Sequence, residues 1–405
     1  MFRLISGDCC EVEQACRLDA GVAESRLELV DGSSACEVSS SRARRLPVEV
    51  RELDDVGASC WEDYVARHAR GTLFHTLLWR SAVEDAFGHR SHYLTAWRGD
   101  RLAGVFPLAA VSSHLAGTIL VSVPYGIYGG TLADDEETHS ALLLAAQDLA
   151  CRVNARWVDI RSAEAQWPQL PVVERYVTFR KRLPDDPADV LRELPRKARA
   201  AARQARERYG LEADFDAGQL GTVWTLYSQS MRRVASVNYP MRFFEYLVNH
   251  TVSGMDRSAS GPANLRPGHL VQIVRHEGRP IAGLLSFVYR DTLMPYFAGC
   301  DERYEGMHPN NFLYLAAMEQ GVAIGCREFD FGRTRVDNAG SYNFKRFQGF
   351  EPTQLHYQYY VPQGGRVPDL HPDNPRLQLA RRVWPRLPLA VTRPLGAWLA
   401  RSIPG

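Results

Sequence analysis

Hydrophobic and polar positions alternate with period two over Tyr93–Leu108 (YLTAWRGDRLAGVFPL) and again over Val271–Phe287 (VQIVRHEGRPIAGLLSF). A charged turn with glycine interrupts each stretch, Arg98-Gly99-Asp100 in one and His276-Glu277-Gly278 in the other, and each second run is entered through Ala-Gly. That is the pattern of a β-hairpin. About fifty residues further on the echo returns, as ARWVDIR over Ala155–Arg161 and CREFDFGR over Cys326–Arg333. Asp159 and Asp330 take equivalent places, each in a strand that follows a helical stretch. Two copies of one α/β unit, about 170–180 residues apart, explain the order of these elements better than chance does.

Period-3.6 patterns predict helices at Trp61–Ala69, Leu77–Phe87, His139–Asn154, Ala188–Tyr209, Val223–Val234, Arg242–Asn249 and Phe312–Ile324, the last capped by Asn310 or Asn311. Further strands are expected at Thr118–Pro124, Glu328–Phe331 and Leu355–Val361. Pro184–Pro187 reads as a linker. The expected organisation is a disordered or non-native extension over residues 1–46, a first module over 47–183, a second over 188–361, and a basic tail with Pro and Trp over 362–405. In that tail, prolines should break every long element.

Composition adds little until it is resolved along the chain. The 405 residues carry 48 Lys+Arg against 47 Asp+Glu, so net charge names no partner. Arg192–Arg208, however, holds seven basic residues, and the tail from Arg376 has almost no acids. Eight cysteines form no CxxC pair and no zinc spacing. Together with an N-terminus lacking the apolar core of a signal peptide, and no apolar run of about 18–20 residues, they point to a reducing, cytoplasmic setting. Nucleophile-elbow, HExxH, Walker and dinucleotide-glycine motifs are missing. Metal and cofactor are not expected, nor is DNA as a partner.

Several residues are candidates for chemistry, each with a plainer alternative. Arg196, Lys197 and Arg203 belong to a basic stripe suited to phosphates, or to a solvated face. Tyr125, Tyr128 and Gly129 lie in an aromatic, glycine-rich turn that would shape a substrate pocket, or pack on the core. Asp330 either accepts a proton from an attacking amine or forms a buried ion pair with Arg333 or Arg335. Tyr342, Lys345 and Arg346 lie in SYNFKRFQGF, bracketed by Gly340 and Gly349, as a ligand-facing segment or a strand with an exposed lysine. The tail, with Trp384, Leu387, Leu389, Trp398 and Leu399 between arginines, would seat the protein on anionic inner-membrane lipid or dock on the second module.

The order helix, hairpin, strand, loop, helix, strand resembles the GNAT acyltransferase fold. Two such modules in tandem resemble the FemAB family of aminoacyl-tRNA-dependent peptidyl transferases, in particular its exosortase/PEP-CTERM exopolysaccharide-associated branch. The resemblance rests on VSVPYGIYGG (Val121–Gly130), PRKARAAARQAR (Pro195–Arg206), FDFGR (Phe329–Arg333), SYNFKRFQGFEP (Ser341–Pro352) and WPRLPL (Trp384–Leu389). It implies an α/β fold of tandem GNAT-like modules, mixed sheets flanked by helices. It also implies N-acyl or aminoacyl transfer to an amine on a phosphorylated cell-envelope or exopolysaccharide precursor, with a tRNA acceptor end as a further partner. Asp330, Lys345 and Tyr342 would be catalytic; Tyr125, Tyr128, Gly129, Arg196, Lys197, Arg203, Arg333 and Arg346 would bind substrate. The turn Arg303–His308, where a GNAT enzyme holds the donor diphosphate, carries Glu305 beside Asp301 and Glu302. Acetyl-CoA is therefore a weaker expectation than aminoacyl-tRNA. The alternatives are a CoA- or carrier-dependent N-acyltransferase and a non-catalytic GNAT scaffold that organises polysaccharide enzymes.

Overall fold

The computed structural model describes residues 46–113, 117–256, 266–362, 381–403 and 405. The extension expected over residues 1–46 lies outside the described residues except for Leu46, whose carbonyl accepts from Arg98 Nη1 at 2.6 Å. Residues 363–380 of the tail also lie outside them.

In the first half the alternating stretch forms strands Leu94–Arg98 and Arg101–Phe106, turning at Gly99 with φ +60°. Flanked by Glu49–Glu52 and Leu132–Ala133, they make a four-stranded sheet. A second, six-stranded sheet runs Arg90–Ser91, Ala109–Ser113, Gly117–Ser122, Val158–Ile160, Tyr357–Tyr360, Val172–Val173. The helix Glu136–Arg152 buries Leu142, Leu143, Ala146 and Leu149 at helical spacing, in one core with Ala96, Phe106 and Ile160 from both sheets.

The second half is built on a meander, Gly268–His276, Arg279–Tyr289 and Thr292–Cys300, within a nine-stranded sheet. Helices Arg196–Arg203 and Pro309–Ala323 share one core with it. Helices Leu220–Arg233 and Met241–Asn249 join another core that also contains Leu73, Phe74, Trp79, Phe87, Tyr125 and Tyr128 of the first half. Phe74, Trp79, Phe243 and Phe287 are fully buried there. At about 1.5–3 kcal/mol per buried large side chain, this aromatic seam is a principal tie between the halves.

The second tie is an exchange of strands. Tyr176–Arg182, which ends the first module in the chain, pairs antiparallel with Glu328–Asp330 and Glu351–Gln354 of the second. Tyr357–Tyr360, which ends the second, pairs antiparallel with Val158–Ile160 of the first. The sheets therefore cross the boundaries expected at 183 and 188. Alternation shows that a segment is a strand and which face it buries, but not which sheet it joins. Within each half the central parallel pair is short. Leu120–Ser122 lies beside Val158–Ile160, and Thr292–Leu293 beside Glu328–Phe329, before the strands part.

Four local expectations are corrected. The basic helix breaks at Leu194-Pro195 into Pro187–Glu193 and Arg196–Arg203, then continues as a wider-wound segment to Arg208. The helix at Pro309 is preceded by His308 in the left-handed region (φ +57°), not by an asparagine cap, because Pro309 at its first position presets the turn. Residues Ala339–Phe347 are helical, not extended. The tail holds a helix, Leu389–Ala400, which tolerates Pro394 in its interior and docks through Thr392, Gly396 and Ala400.

The exchange has a direct consequence for folding. Fragments 46–186 and 187–405 produced separately should each lack cooperative unfolding by circular dichroism, and should regain it when mixed. A cooperative transition in the isolated second fragment would show that it does not need the Tyr176–Arg182 strand.

Candidate active site

A cleft of about 370 Å³ opens at the seam. The first half lines it with Arg70–Leu73, His75, Tyr128, Gly130 and Ser162–Glu164; the second lines it with Arg180, Tyr289–Thr292, Met294, Glu328 and Asp330. Its polar centre follows from strand geometry. Glu328 and Asp330, two apart in one strand, point to one side, and Arg180 on the exchanged strand stands directly opposite Asp330.

Asp330 is completely buried. Its Oδ1 accepts from Gly332 N at 2.7 Å and Thr178 Oγ1 at 3.1 Å, and its Oδ2 from Tyr128 OH at 2.8 Å. Arg180 Nε lies 3.4 Å from the same Oδ2 and pairs closely with Glu328. Burial, reinforced by the Asp330 charge, lifts the Tyr128 phenol well above its ordinary pKa, so it serves as a donor. Glu328 is different. It is half-buried, and desolvation raises its pKa above the usual glutamate value although Arg180 pulls the other way. Asp330 is engaged on both oxygens, whereas Glu328 is held by Arg180 through Oε1.

The walls are held by hydrogen bonds that consume their own polar groups. Burial lowers His75 to about 4. Its Nδ1 faces the Thr72 N–H at 3.3 Å, so the neutral ring carries its proton on Nε2 and donates to Gly130 O at 2.9 Å. Arg290 Nη2 donates to Val65, Ala66 and His68 carbonyls at 3.0, 2.8 and 2.7 Å. It thereby caps the C-terminal end of helix Asp55–Arg67 from the other half of the molecule.

Of the residues proposed from the sequence, the cleft gathers Tyr128 and Asp330. Asp330 is paired with Arg180, not with Arg333 or Arg335. Arg335 bonds Asp337 at 2.9 Å, and Arg333 lies over the Tyr176 ring at 4.6 Å. Asp159, by contrast, does pair with Arg161 two residues on, at 3.0 Å. Tyr125 is a core residue: it stacks on Phe87 at 3.9 Å, and its hydroxyl donates to Ala400 O at 2.9 Å. Gly129 is required by its own chain, since a Cβ there would meet Val123 N at 2.6 Å. Gly349 likewise faces Pro195, 3.0 Å from the place of a Cβ, not a ligand.

Lys345 is buried, not exposed, and does not line the cleft. Its Nζ donates to Phe331 O at 2.9 Å, Gly332 O at 3.3 Å and Thr334 Oγ1 at 2.7 Å. It pins the loop whose Gly332 N–H holds Asp330, and so positions the site without touching its space. Tyr342 packs edge-on against Phe179 at 5.4 Å, and Arg346 is exposed. Arg196, Lys197 and Arg203 are exposed on the helix whose Ala198 and Ala202 are buried, away from the cleft lining.

Arg180 and Glu328 were missed by sequence reasoning. Their signals were a second acid two residues before Asp330 and the first basic residue of the stretch YVTFRKR, which precedes the linker.

Acids at the turn Arg303–His308 are paired with arginines. Arg303 Nε bonds Asp301 at 2.9 Å, and Arg233 pairs with Glu305. Among the described residues, no three His, Cys, Asp or Glu side chains converge as metal ligands.

With this geometry in place, residues 189–346 match the family model described as an acetyltransferase (GNAT) domain. The fold is GNAT-like. FemX, at 14% identity, superposes with a TM-score of 0.57 over 82% of this chain and all of its own. A tandem GNAT protein from the clavulanic acid biosynthesis pathway (14% identity, 79% of this chain and 100% of its own, TM-score 0.48) is also similar. So is L-PGS from Bacillus licheniformis (13%, 83% and 99%, 0.49). No curated protein sequence matches. The feature visible here in the second half is the parting of Thr292–Cys300 from Glu328–Asp330 after two paired residues, with the helix Pro309–Ala323 following the meander.

The buried lysine of the second GNAT-like module makes stability depend on pH. Desolvation lowers Lys345 to about 7, whereas an unfolded lysine titrates near ~10.4. Between these values the unfolded chain binds more protons, so native stability rises with pH, by at most about 1.4 kcal/mol per unit. In urea melts from neutral pH upward, Lys345→Met should lack this increment. Parallel curves for the two proteins would show that Lys345 does not titrate in this interval.

Proposed function

We propose that the cleft carries out N-acyl or aminoacyl transfer to an amine on a phosphorylated cell-envelope or exopolysaccharide precursor, with charged tRNA as donor. The observation that carries this reading is Glu328. It is a half-buried carboxylate of raised pKa on the wall of a cleft built by both modules, next to a guanidinium and a saturated second acid. The acceptor nitrogen attacks the ester carbonyl, forming the C–N bond, and gives its proton to Glu328. The C–O bond of the ester breaks, and the leaving oxygen takes up a proton. Arg180 lies where negative charge on the carbonyl oxygen or on a precursor phosphate is stabilised. Asp330, Tyr128 and Thr178 keep Arg180 in place, and Lys345 keeps Asp330's loop. No cofactor enters this scheme.

The resemblance of Val121–Gly130, Pro195–Arg206 and Ser341–Pro352 to the FemAB-like exosortase-associated branch supports the choice of precursor and donor. A second reading, acyl-CoA as donor, is favoured by the acetyltransferase description of the domain matched at residues 189–346. The turn speaks against it, because Arg303 is already paired with Asp301 and Arg233 with Glu305, and these acids would repel a diphosphate.

Transfer of a labelled aminoacyl group from charged tRNA to an amine-bearing, nucleotide-linked precursor tests the first reading. Glu328→Gln should lower kcat by about a hundredfold or more, with KM little changed. The wild-type rate should also rise with pH along a limb lying above the ordinary glutamate pKa. A Gln variant at the wild-type rate would remove Glu328 from the chemistry.

Calorimetry with acetyl-CoA separates the donors. Binding in the high micromolar range or weaker is expected, and low-micromolar affinity would make the CoA-dependent reading the leading one.

A further inference from the structure

The helix Leu389–Ala400 shows two apolar faces. One is docked: Thr392, Gly396 and Ala400 are buried, and the Arg393 guanidinium stacks over Trp224 at 4.5 Å. Tyr125 of the first module donates to Ala400 O, and Arg232 Nη1 of the second donates to Leu387 O at 3.3 Å, so the segment is held by both. The other face is partly exposed. Val391, Leu395 and Trp398, spaced four and three residues apart, align on it and are 43%, 38% and 54% exposed. Val383 and Ile403 extend exposed apolar surface to either side at 43% and 47%.

The charge within this segment has one sign. Residues 381–405 contain five arginines and no Asp, Glu or Lys. Arg381, Arg382, Arg386 and Arg401 are exposed. A tryptophan at the edge of an aliphatic stripe, flanked by arginines, is the composition that settles at a lipid headgroup boundary. In a free interfacial helix, a polar face would keep the other side in water. Here the protein itself covers that side, and no helix among the described residues is long and apolar enough to cross a membrane. A second copy of the chain is a poorer occupant, because a symmetric pair would bring the arginines of one copy against those of the other.

We propose that the exposed face of Leu389–Ala400 is a docking surface for an anionic lipid bilayer. Val391, Leu395 and Trp398 enter the headgroup boundary, and Arg382, Arg386 and Arg401 meet lipid phosphates. This holds independently of what the cleft does.

Flotation of the full chain with vesicles of equal parts phosphatidylglycerol and phosphatidylcholine, and with pure phosphatidylcholine vesicles, tests the proposal. The protein should float with the anionic vesicles, leave them as salt is raised, and not float with the neutral ones. Leu395→Ala with Trp398→Ala should abolish flotation while the variant keeps a cooperative thermal transition. Arg382→Gln, Arg386→Gln and Arg401→Gln together should weaken attachment by about fivefold per residue. Absence of wild-type flotation, or unchanged flotation of the Leu395/Trp398 variant, overturns the proposal. So does sedimentation showing a wild-type dimer that becomes a monomer in that variant, since a second copy would then cover the face.

Discussion

The exchange of one strand between the two halves is the constraint on which the rest of the molecule depends. Tyr176–Arg182 completes the second sheet and Tyr357–Tyr360 the first. Each module therefore carries an open edge that its partner closes, and unpaired edges are costly in backbone hydrogen bonds and prone to wrong pairing. Since the exchanged strands lie at the two borders of the second module, the halves are tied at both of them. The aromatic core around Trp79, Phe243 and Phe287 fills the space this creates.

The site follows from that exchange. Arg180 is brought opposite Asp330 only because its strand joins the second sheet, and Tyr128 reaches Asp330 only because the halves are locked together. Buried charge is tolerated when it is fully hydrogen-bonded, and Asp330 meets that condition with three donors and a guanidinium. The duplicated Asp159 is paired differently, through Oδ2 alone, by Arg161 just beyond its strand. The two halves thus keep the same buried carboxylate, and only the second half places it at the cleft. Lys345 belongs to this arrangement as a positioning residue: its three acceptors lie on the turn that follows Asp330.

The contrast between Lys345 and Glu328 shows where residue type misleads. A lysine in a basic, aromatic, glycine-bracketed segment reads as a ligand contact, yet the segment is a helix whose outer residues, Arg346 and Phe347, face water. A glutamate at the start of a short strand reads as an ordinary surface acid. Only its burial at the wall of the cleft, which raises its pKa against the pull of Arg180, changes its protonation behaviour.

The chain alone determined the duplication, both hairpins, the helix Leu77–Phe87 to the residue and the docking period of Glu136–Arg152, and it singled out Tyr128 and Asp330, both of which line the cleft. These are local matters of periodicity, turn chemistry and repeat spacing, and nearest neighbours in sequence carry them. The tertiary structure decided which sheet each terminal strand joined, that Arg180 and not Arg333 pairs with Asp330, that Tyr125 and Lys345 are buried, and which side of the C-terminal helix is left open. Each of these depends on contacts between residues far apart in the chain, and the local pattern carries no record of which distant partner a strand edge, a charge or an apolar face will meet.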